Sequence, residues 1–125
     1  MSSDNTSPGA LAVGKVSQNF VNNVNIVAVH SQLWSTYGST QVDITYNGRT
    51  GRFVVLDMCA DSDCNGCCTA NMNWSNNGFL LDVDSSAAQR VWGISNAENT
   101  LKASATFKPV PNSRVSFEAL KRQYP

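Results

Sequence analysis

The stretch "VDITYNGRTGRFVVLDMC", residues 42–59, carries the clearest structural signal in the chain. Apolar and polar residues alternate on both sides of Asn47-Gly48, and a period of two is typical of half-buried strands. Asn and Gly both tolerate the positive φ angles that a two-residue hairpin turn requires. The stretch therefore predicts two antiparallel strands, "TQVDITY" and "GRFVVLDM", joined through Asn47-Gly48-Arg49-Thr50.

Similar patterns outside the hairpin predict a mainly β chain. Runs of β-branched and aromatic residues bounded by Gly, Asn or Pro indicate further strands at Gly14–Phe20, at Val24–Val29 and at residues 101–110. Pro109 and Pro111 are expected to end the last of these, because proline cannot donate to a strand ladder.

Helix signals are fewer. "HSQLW", residues 30–34, predicts a turn or short helix. Asp84 is expected to cap a helix over "SSAAQRVW", and Gly93 to end it. The tail "SRVSFEALKRQY" predicts a short amphipathic helix that lays Val115, Phe117 or Leu120 on the domain.

The cysteines lie close together, at Cys59, Cys64, Cys67 and Cys68. This spacing lacks the second knuckle of a structural zinc site, so no metal is expected. A redox thiolate needs nearby positive charge, whereas the neighbours here are aspartates. The pattern favours two short-range disulfides. An adjacent Cys67–Cys68 bridge is strained, which leaves two pairings open.

Disulfides persist in oxidising surroundings, so the cysteines predict a secreted or extracellular protein.

The chain has 125 residues, with nine basic and nine acidic side chains, and these numbers favour one domain. Without clustered Lys or Arg, no nucleic-acid partner is expected. No apolar run reaches membrane-spanning length, so no membrane association is expected either. Nothing in the sequence indicates a cofactor.

Four segments in this order resemble the double-psi β-barrel domains of expansins, loosenins, barwin-like proteins, kiwellins and the rare lipoprotein A group. They are "IVAVHSQLW" (26–34), "VDITYNGRTGRFVVLDMC" (42–59), "LLDVDSSAAQRVWG" (80–93) and "ASATFKPV" (103–110). The resemblance implies a single six-stranded double-psi β-barrel over residues 14–110, with one or two short helices and a disulfide-stapled loop. Residues 1–13 would form a flexible leader, and residues 111–125 an extension packed on the barrel.

Two features depart from the family pattern. Tyr37-Gly38 stands where these domains carry a cysteine-glycine pair before the hairpin. The cysteine loop is also longer than usual, and in character it is closer to the loop of kiwellins.

The resemblance indicates two carboxylates, Asp57 and Asp82, where such barrels open a groove. Glycan hydrolysis needs two carboxyl groups across the scissile bond, and this pair could supply them. Expansins and loosenins nevertheless carry a similar groove without hydrolysing their polysaccharide. An aspartate at a strand end also commonly accepts backbone N–H bonds, which is the structural alternative for each residue.

His30 is the single histidine, and its "VAVH" context resembles the rare lipoprotein A group, some members of which cleave glycan strands. It is a third catalytic candidate, although acid–base work would require it near Asp57 or Asp82.

Aromatic side chains give a further expectation, because sugar rings stack on Trp and Tyr. The candidates for sugar binding are Trp34, Tyr37 and Trp74, alongside Asp57 and Asp82. Trp92, at the end of the expected helix, is assigned to the core.

Three functions follow from the resemblance. The first is a secreted, non-catalytic expansin-like or loosenin-like domain that binds, and could loosen, cell-wall polysaccharide. The second is a protein-binding module of the kiwellin or protease-inhibitor kind. The third is a glycan-cleaving enzyme like those of the rare lipoprotein A group. The first is favoured, because the groove aspartates are present while the catalytic accessories are incomplete.

Overall fold

The computed structural model describes residues 11–59, 66, 80–94 and 105–125, and at 80–82 it describes the backbone alone. The strands are β1 (Ile26–His30), β2 (Gln41–Tyr46), β3 (Arg49–Cys59), β4 (Leu80–Val83) and β5 (Thr106–Pro109). The helices are α1 (Gln18–Asn23), a 3₁₀ turn (Ser31–Leu33), α2 (Trp34–Tyr37), α3 (Ser85–Trp92) and α4 (Phe117–Gln123). The prediction of a mainly β fold is confirmed, with more short helices than the one or two expected.

The strands form one mixed sheet in the order β4-β1-β3-β2-β5. β1 and β3 run parallel, whereas β1–β4, β2–β3 and β2–β5 are antiparallel. β1 therefore lies between two strands that come much later in the chain. The described residues supply five strands, and the six-stranded barrel stays a prediction.

The predicted hairpin is confirmed, but its connection is shorter than the expected Asn47-Gly48-Arg49-Thr50, because Arg49 and Thr50 already belong to β3. Tyr46 pairs with Arg49, so Asn47 and Gly48 alone form the turn. Their φ angles are 55° and 80°, the left-handed region that a two-residue turn of matching twist requires. The turn fixes the register of β2 against β3.

The prediction for α3 is also confirmed. The Asp84 carboxylate accepts a hydrogen bond from the Ala87 N–H at 3.2 Å, which satisfies one of the unpaired donors of the first turn. Gly93 ends the helix at φ 70°, a conformation that costs glycine little. Both ends of α3 are thus set by local residues.

One face of the sheet packs against α3 and forms what we call the inner cluster. Its buried members are Val27, Val29, Val42, Ile44, Phe53, Val55, Val83, Ala87, Ala88, Ala105 and Phe107. Gly51 allows this close approach, because a Cβ there would lie 2.8 Å from Val91 Cγ1. Trp92 stacks on Phe53 at a centroid distance of 5.5 Å, and its Nε1 donates to the Arg49 carbonyl at 2.8 Å. The assignment of Trp92 to the core is confirmed.

The opposite face of β1 and β3 carries a second group, the outer cluster. Its buried members are Phe20, Val21, Val24, Ile26 and Leu56. Partly buried residues from both ends of the chain pack on it, namely Leu11, Val13, Val16, Val54, Phe117, Leu120 and Tyr124. Leu11 and Val13 lie within the segment expected to be a flexible leader, and residues 1–10 lie outside the described part.

The predicted strand over Gly14–Phe20 is wrong, because α1 begins at Gln18. The Ser17 hydroxyl accepts from the Phe20 N–H at 3.1 Å and caps the helix. Phe20 and Val24, four residues apart, then lie on the same side of the chain and face the sheet. Ser17 therefore separates an extended segment from a helix within one run of alternating residues.

Arg90 joins α3 to the end of α1. Its guanidinium donates to the Val21 carbonyl at 3.3 Å, to the Val24 carbonyl at 3.2 Å and to Asn25 Oδ1 at 2.9 Å. These bonds satisfy carbonyls that the end of a helix leaves without intrahelical partners.

The tail forms the predicted helix, α4. Phe117 meets Phe20 edge to face at 5.9 Å, and Leu120 packs on the same cluster. The first residues of the described chain and its last helix thus cover the same part of the sheet. In the described ranges, every helix is too short or too polar to cross a membrane.

Candidate functional site

The sheet register brings Asp57 and Asp82 to the same level. Ala28 lies in β1, the strand between β4 and β3, and pairs with Asp57 of β3 on one side and with Asp82 of β4 on the other. Neighbouring strands lie about 4.8 Å apart, so the two aspartate Cα atoms are separated by roughly 10 Å. The small Ala28 side chain is all that β1 places between them. The prediction that the Asp82 side chain faces an open groove falls outside the described part.

A bulge determines which face of the sheet Asp57 joins. Val27 pairs with Val55, but Ala28 pairs with Asp57, so Leu56 is an extra residue in β3. Strict alternation after Phe53 and Val55 would direct Asp57 into the apolar inner cluster. The extra residue shifts the alternation and moves the carboxylate to the Ala28 side.

A second irregularity lies on the other side of β1. Ala28 pairs with Asp82 and Val29 pairs with Leu80, so the β1–β4 register shifts at Leu81. Bulges are frequent beside functional sites, because they redirect side chains and interrupt pairing. Two of them flank Ala28, one on each neighbouring strand.

Asp57 also has a structural contact. Its Oδ1 accepts the Ala12 N–H at 3.0 Å and holds the turn in which Leu11 and Gly14 bond to each other. This is the backbone-accepting role considered for an aspartate at a strand end.

His30 ends β1 two residues beyond Ala28, on the same face by strand alternation. The residue is 2% exposed, and its Nδ1 accepts the Gln32 N–H at 3.0 Å. The bond caps the 3₁₀ turn and requires an unprotonated Nδ1, which places the proton of the neutral ring on Nε2. His30 is thus near Asp57 in the sheet, with its ring buried.

The aromatic candidates have different environments. Trp34 is half-buried and packs against the inner cluster. The Gly38 backbone lies on its ring, since a Cβ at Gly38 would come within 2.9 Å of the indole Cδ2. Tyr37 lines a surface cavity. Trp74 lies outside the described residues.

We call that feature the Arg114 cavity, and its volume is about 550 Å³. Its lining residues are Thr36, Tyr37, Thr40, Pro109, Val110, Pro111, Asn112, Ser113 and Arg114. Ser113 holds the turn at residues 110–113 against β2, because its hydroxyl donates to the Val110 carbonyl at 2.6 Å and accepts the Gln41 N–H at 2.9 Å. Apart from Tyr37, sequence reasoning missed this site. The run Pro109-Val110-Pro111-Asn112 is typical of a turn and was the signal that could have located it, but nothing local indicated its contact with β2.

Cys59 ends β3 opposite His30 and is disulfide-bonded. Its pairing with Cys64, Cys67 or Cys68 lies outside the described residues and stays a prediction. Met58, immediately before it, is the large apolar side chain that stands out as exposed in the described part, at 42%.

An ion pair between Asp43 of β2 and Arg52 of β3 lies apart from these residues. Arg52 donates to both Asp43 oxygens, at 2.8 and 3.0 Å. The hydrogen bond from Arg52 is the main cause that lowers the pKa of Asp43, against a smaller opposing effect of burial. Lys108, opposite Asp43 on β5, contributes further.

Among residues 11–59, 66, 80–94 and 105–125, His, Cys, Asp and Glu side chains form no group that could hold a metal ion. The candidate site thus comprises two acidic positions on either side of Ala28, the buried His30 and, across the sheet, the Arg114 cavity. No protein-family model, no curated protein and no solved structure matches this chain.

Proposed function

We propose that this chain is a secreted, non-catalytic domain of the expansin and loosenin type that binds cell-wall polysaccharide at Asp57 and Asp82. One observation carries the proposal: Ala28 pairs with both residues, so two acidic positions flank a small residue at one end of the sheet. Carboxylates accept strong hydrogen bonds from donors such as sugar hydroxyls. A pair roughly 10 Å apart, two strand spacings, suits a chain that lies across the strands.

The proposal extends to the fold. The five strands would belong to a six-stranded double-psi β-barrel, with the sixth strand and the stapled loop in residues outside the described part. The interleaved order, in which β1 pairs with β3 and β4, supports such a crossed topology. The disulfide at Cys59 supports an oxidising compartment and therefore secretion.

Two contacts support binding without cleavage. A glycosidase needs an acid of raised pKa that reaches the leaving oxygen. The buried His30 ring already uses Nδ1 to cap the 3₁₀ turn, and Asp57 accepts the Ala12 N–H. Both candidates thus have structural partners, and neither contact directs a proton towards a substrate.

A protein-binding module is the second candidate, favoured by one observation. Met58 is exposed directly before the disulfide-bonded Cys59. The exposed side chain offers an apolar contact, and the disulfide reduces the conformational entropy that the neighbouring backbone loses when a protein binds.

A pull-down on insoluble cellulose, chitin and peptidoglycan tests the first candidate, with a reducing-sugar assay on the same samples. We expect retention on at least one polymer without released sugar. Asp57→Asn and Asp82→Asn should each weaken retention about tenfold, the value of a charge-assisted hydrogen bond. Glu118→Gln is the matched control, because it removes one exposed carboxylate on α4.

Retention unchanged in both aspartate variants would exclude the groove and leave the protein-binding candidate. Released oligosaccharides that disappear in Asp57→Asn and in His30→Ala would instead establish the glycan-cleaving enzyme. The melting temperature of each variant separates lost binding from lost folding.

A further inference from the structure

Among the described residues that line the Arg114 cavity, Arg114 carries the positive charge. Arg114 is exposed, and its Nη1 donates to the Gly38 carbonyl at 2.9 Å. Within the described part of the chain, this is its one hydrogen bond, so Nε and Nη2 remain available to a ligand. No acidic residue lines the cavity among the described residues. An anchored guanidinium with unused N–H groups is suited to a two-point hydrogen bond with a carboxylate.

The walls of the cavity are suited to a sugar ring. The rings of Tyr37, Pro109 and Pro111 supply flat apolar surfaces against which the C–H face of a sugar packs. The side chains of Thr36 and Asn112 make no hydrogen bond within the described ranges, so they can meet sugar hydroxyls.

Backbone hydrogen bonds connect the cavity to the part of β3 that carries Asp57. Two residues before β2, the Ser39 N–H donates to the Val55 carbonyl at 2.7 Å, and the Ser39 carbonyl accepts the Val115 N–H at 2.8 Å. Ser39 thus extends the ladder next to the end of β3, and Val115 follows Arg114 directly. From β4 to Val115 there are four strand spacings, about 19 Å along the sheet.

We propose that the Arg114 cavity binds the carboxylate of an acidic sugar unit, and that the polysaccharide bound across this end of the sheet is therefore a carboxylate-bearing one. The inference rests on the proposed function and adds the substrate class. Arg114 holds the carboxylate, Tyr37 and the prolines hold the ring, and Asp57 meets hydroxyl groups of a neighbouring unit. Opposite charges at the two positions fix the direction in which the polymer lies.

Isothermal titration with trigalacturonic acid and with its methyl ester tests the inference, because the two differ in charge and share the rings. We expect the acid to bind at least about tenfold more tightly, since hydrogen bonds between charged groups are the strong ones. Arg114→Gln should abolish this preference, and Arg114→Lys should retain part of it. Arg122→Gln, an exposed arginine on α4, is the matched control and should change nothing.

A disaccharide that contains N-acetylmuramic acid shows whether the carboxylate is recognised on a muramic rather than a uronic unit. Tighter binding of an N-acetylated tripeptide with a C-terminal carboxylate would overturn the assignment to sugars. Equal affinity for acid and ester, or an unchanged preference in a folded Arg114→Gln protein, would also overturn it.

The outcomes separate this inference from the proposed function. Retention on neutral cellulose that depends on Asp57, without a preference for the acid, contradicts the inference and supports the function. Binding of the acid that depends on Arg114 but not on Asp57 or Asp82 supports the cavity and contradicts the groove.

Discussion

The two faces of the sheet are built by different means. The inner cluster joins a tight hairpin to a helix capped at both ends, and its residues recur at every second strand position. The outer cluster is covered by segments from the two ends of the described chain, and the Ser17 hydroxyl reaches the Tyr124 carbonyl, 107 residues away. The first face follows from local signals, whereas the second forms only when distant segments meet. We therefore expect the inner face to be the more stable one.

Phe53→Ala should have the largest effect, because Phe53 is fully buried and stacks on Trp92. Truncating a buried Phe costs about 3–5 kcal/mol of unfolding free energy, through lost transfer and the cavity left behind. Urea denaturation measures it. A loss below about 1 kcal/mol would show that the inner cluster does not determine stability.

Phe117→Ala should cost about 1–2 kcal/mol, because this ring is only half-buried against Phe20. Amide hydrogen exchange should then rise in α1 and α4 before it rises in β3. Glu118→Ala, at an exposed neighbouring position, is the control. Uniformly faster exchange would contradict the comparison and make both clusters one cooperative core.

The N-caps of α1 and α3 allow a direct comparison, because α1 packs on the outer cluster and α3 on the inner cluster. Asp84→Ala and Ser17→Ala should each cost about 1 kcal/mol, the usual value of an N-cap. We expect Asp84→Ala to cost more, because Asp84 is buried and receives the Ser86 hydroxyl as well as the Ala87 N–H. Chemical denaturation of both variants measures the order. The reverse order would show that α1 matters more than α3.

Asp43→Asn should have the smallest effect, since both partners of the Asp43–Arg52 pair are partly exposed. The pKa of Asp43 is lowered from 3.8 on folding, chiefly by the hydrogen bond from Arg52. The carboxylate therefore stabilises the fold above pH 3.8, and this contribution is lost as the pH falls through the depressed pKa. Wild type should exceed the variant in melting temperature at neutral pH and match it in strong acid. An equal difference at both would contradict this role.

Signals within a few residues determined the hairpin, α3 and α4. Asn47-Gly48 supplies the left-handed turn, and Asp84 and Gly93 supply the caps, whatever the rest of the chain does. These elements were predicted, and for α3 the boundaries as well, because backbone dihedral preferences and capping bonds are local properties. Asp57 and Asp82 were also identified as candidates from the sequence alone, through its resemblance to double-psi β-barrel domains.

Only the tertiary structure determined which distant residues lie next to each other. The extra residue Leu56 moves Asp57 out of the inner cluster and opposite Ala28, and no pattern in β3 reveals it, because a bulge forms to satisfy pairing with another strand. The Arg114 cavity likewise depends on Ser113 bonding Gln41, 72 residues away. A contact between residues so far apart in sequence depends on the packing of the whole domain. Closing the intervening loop costs conformational entropy, and this cost is offset only by the apolar surface that is buried when the domain packs.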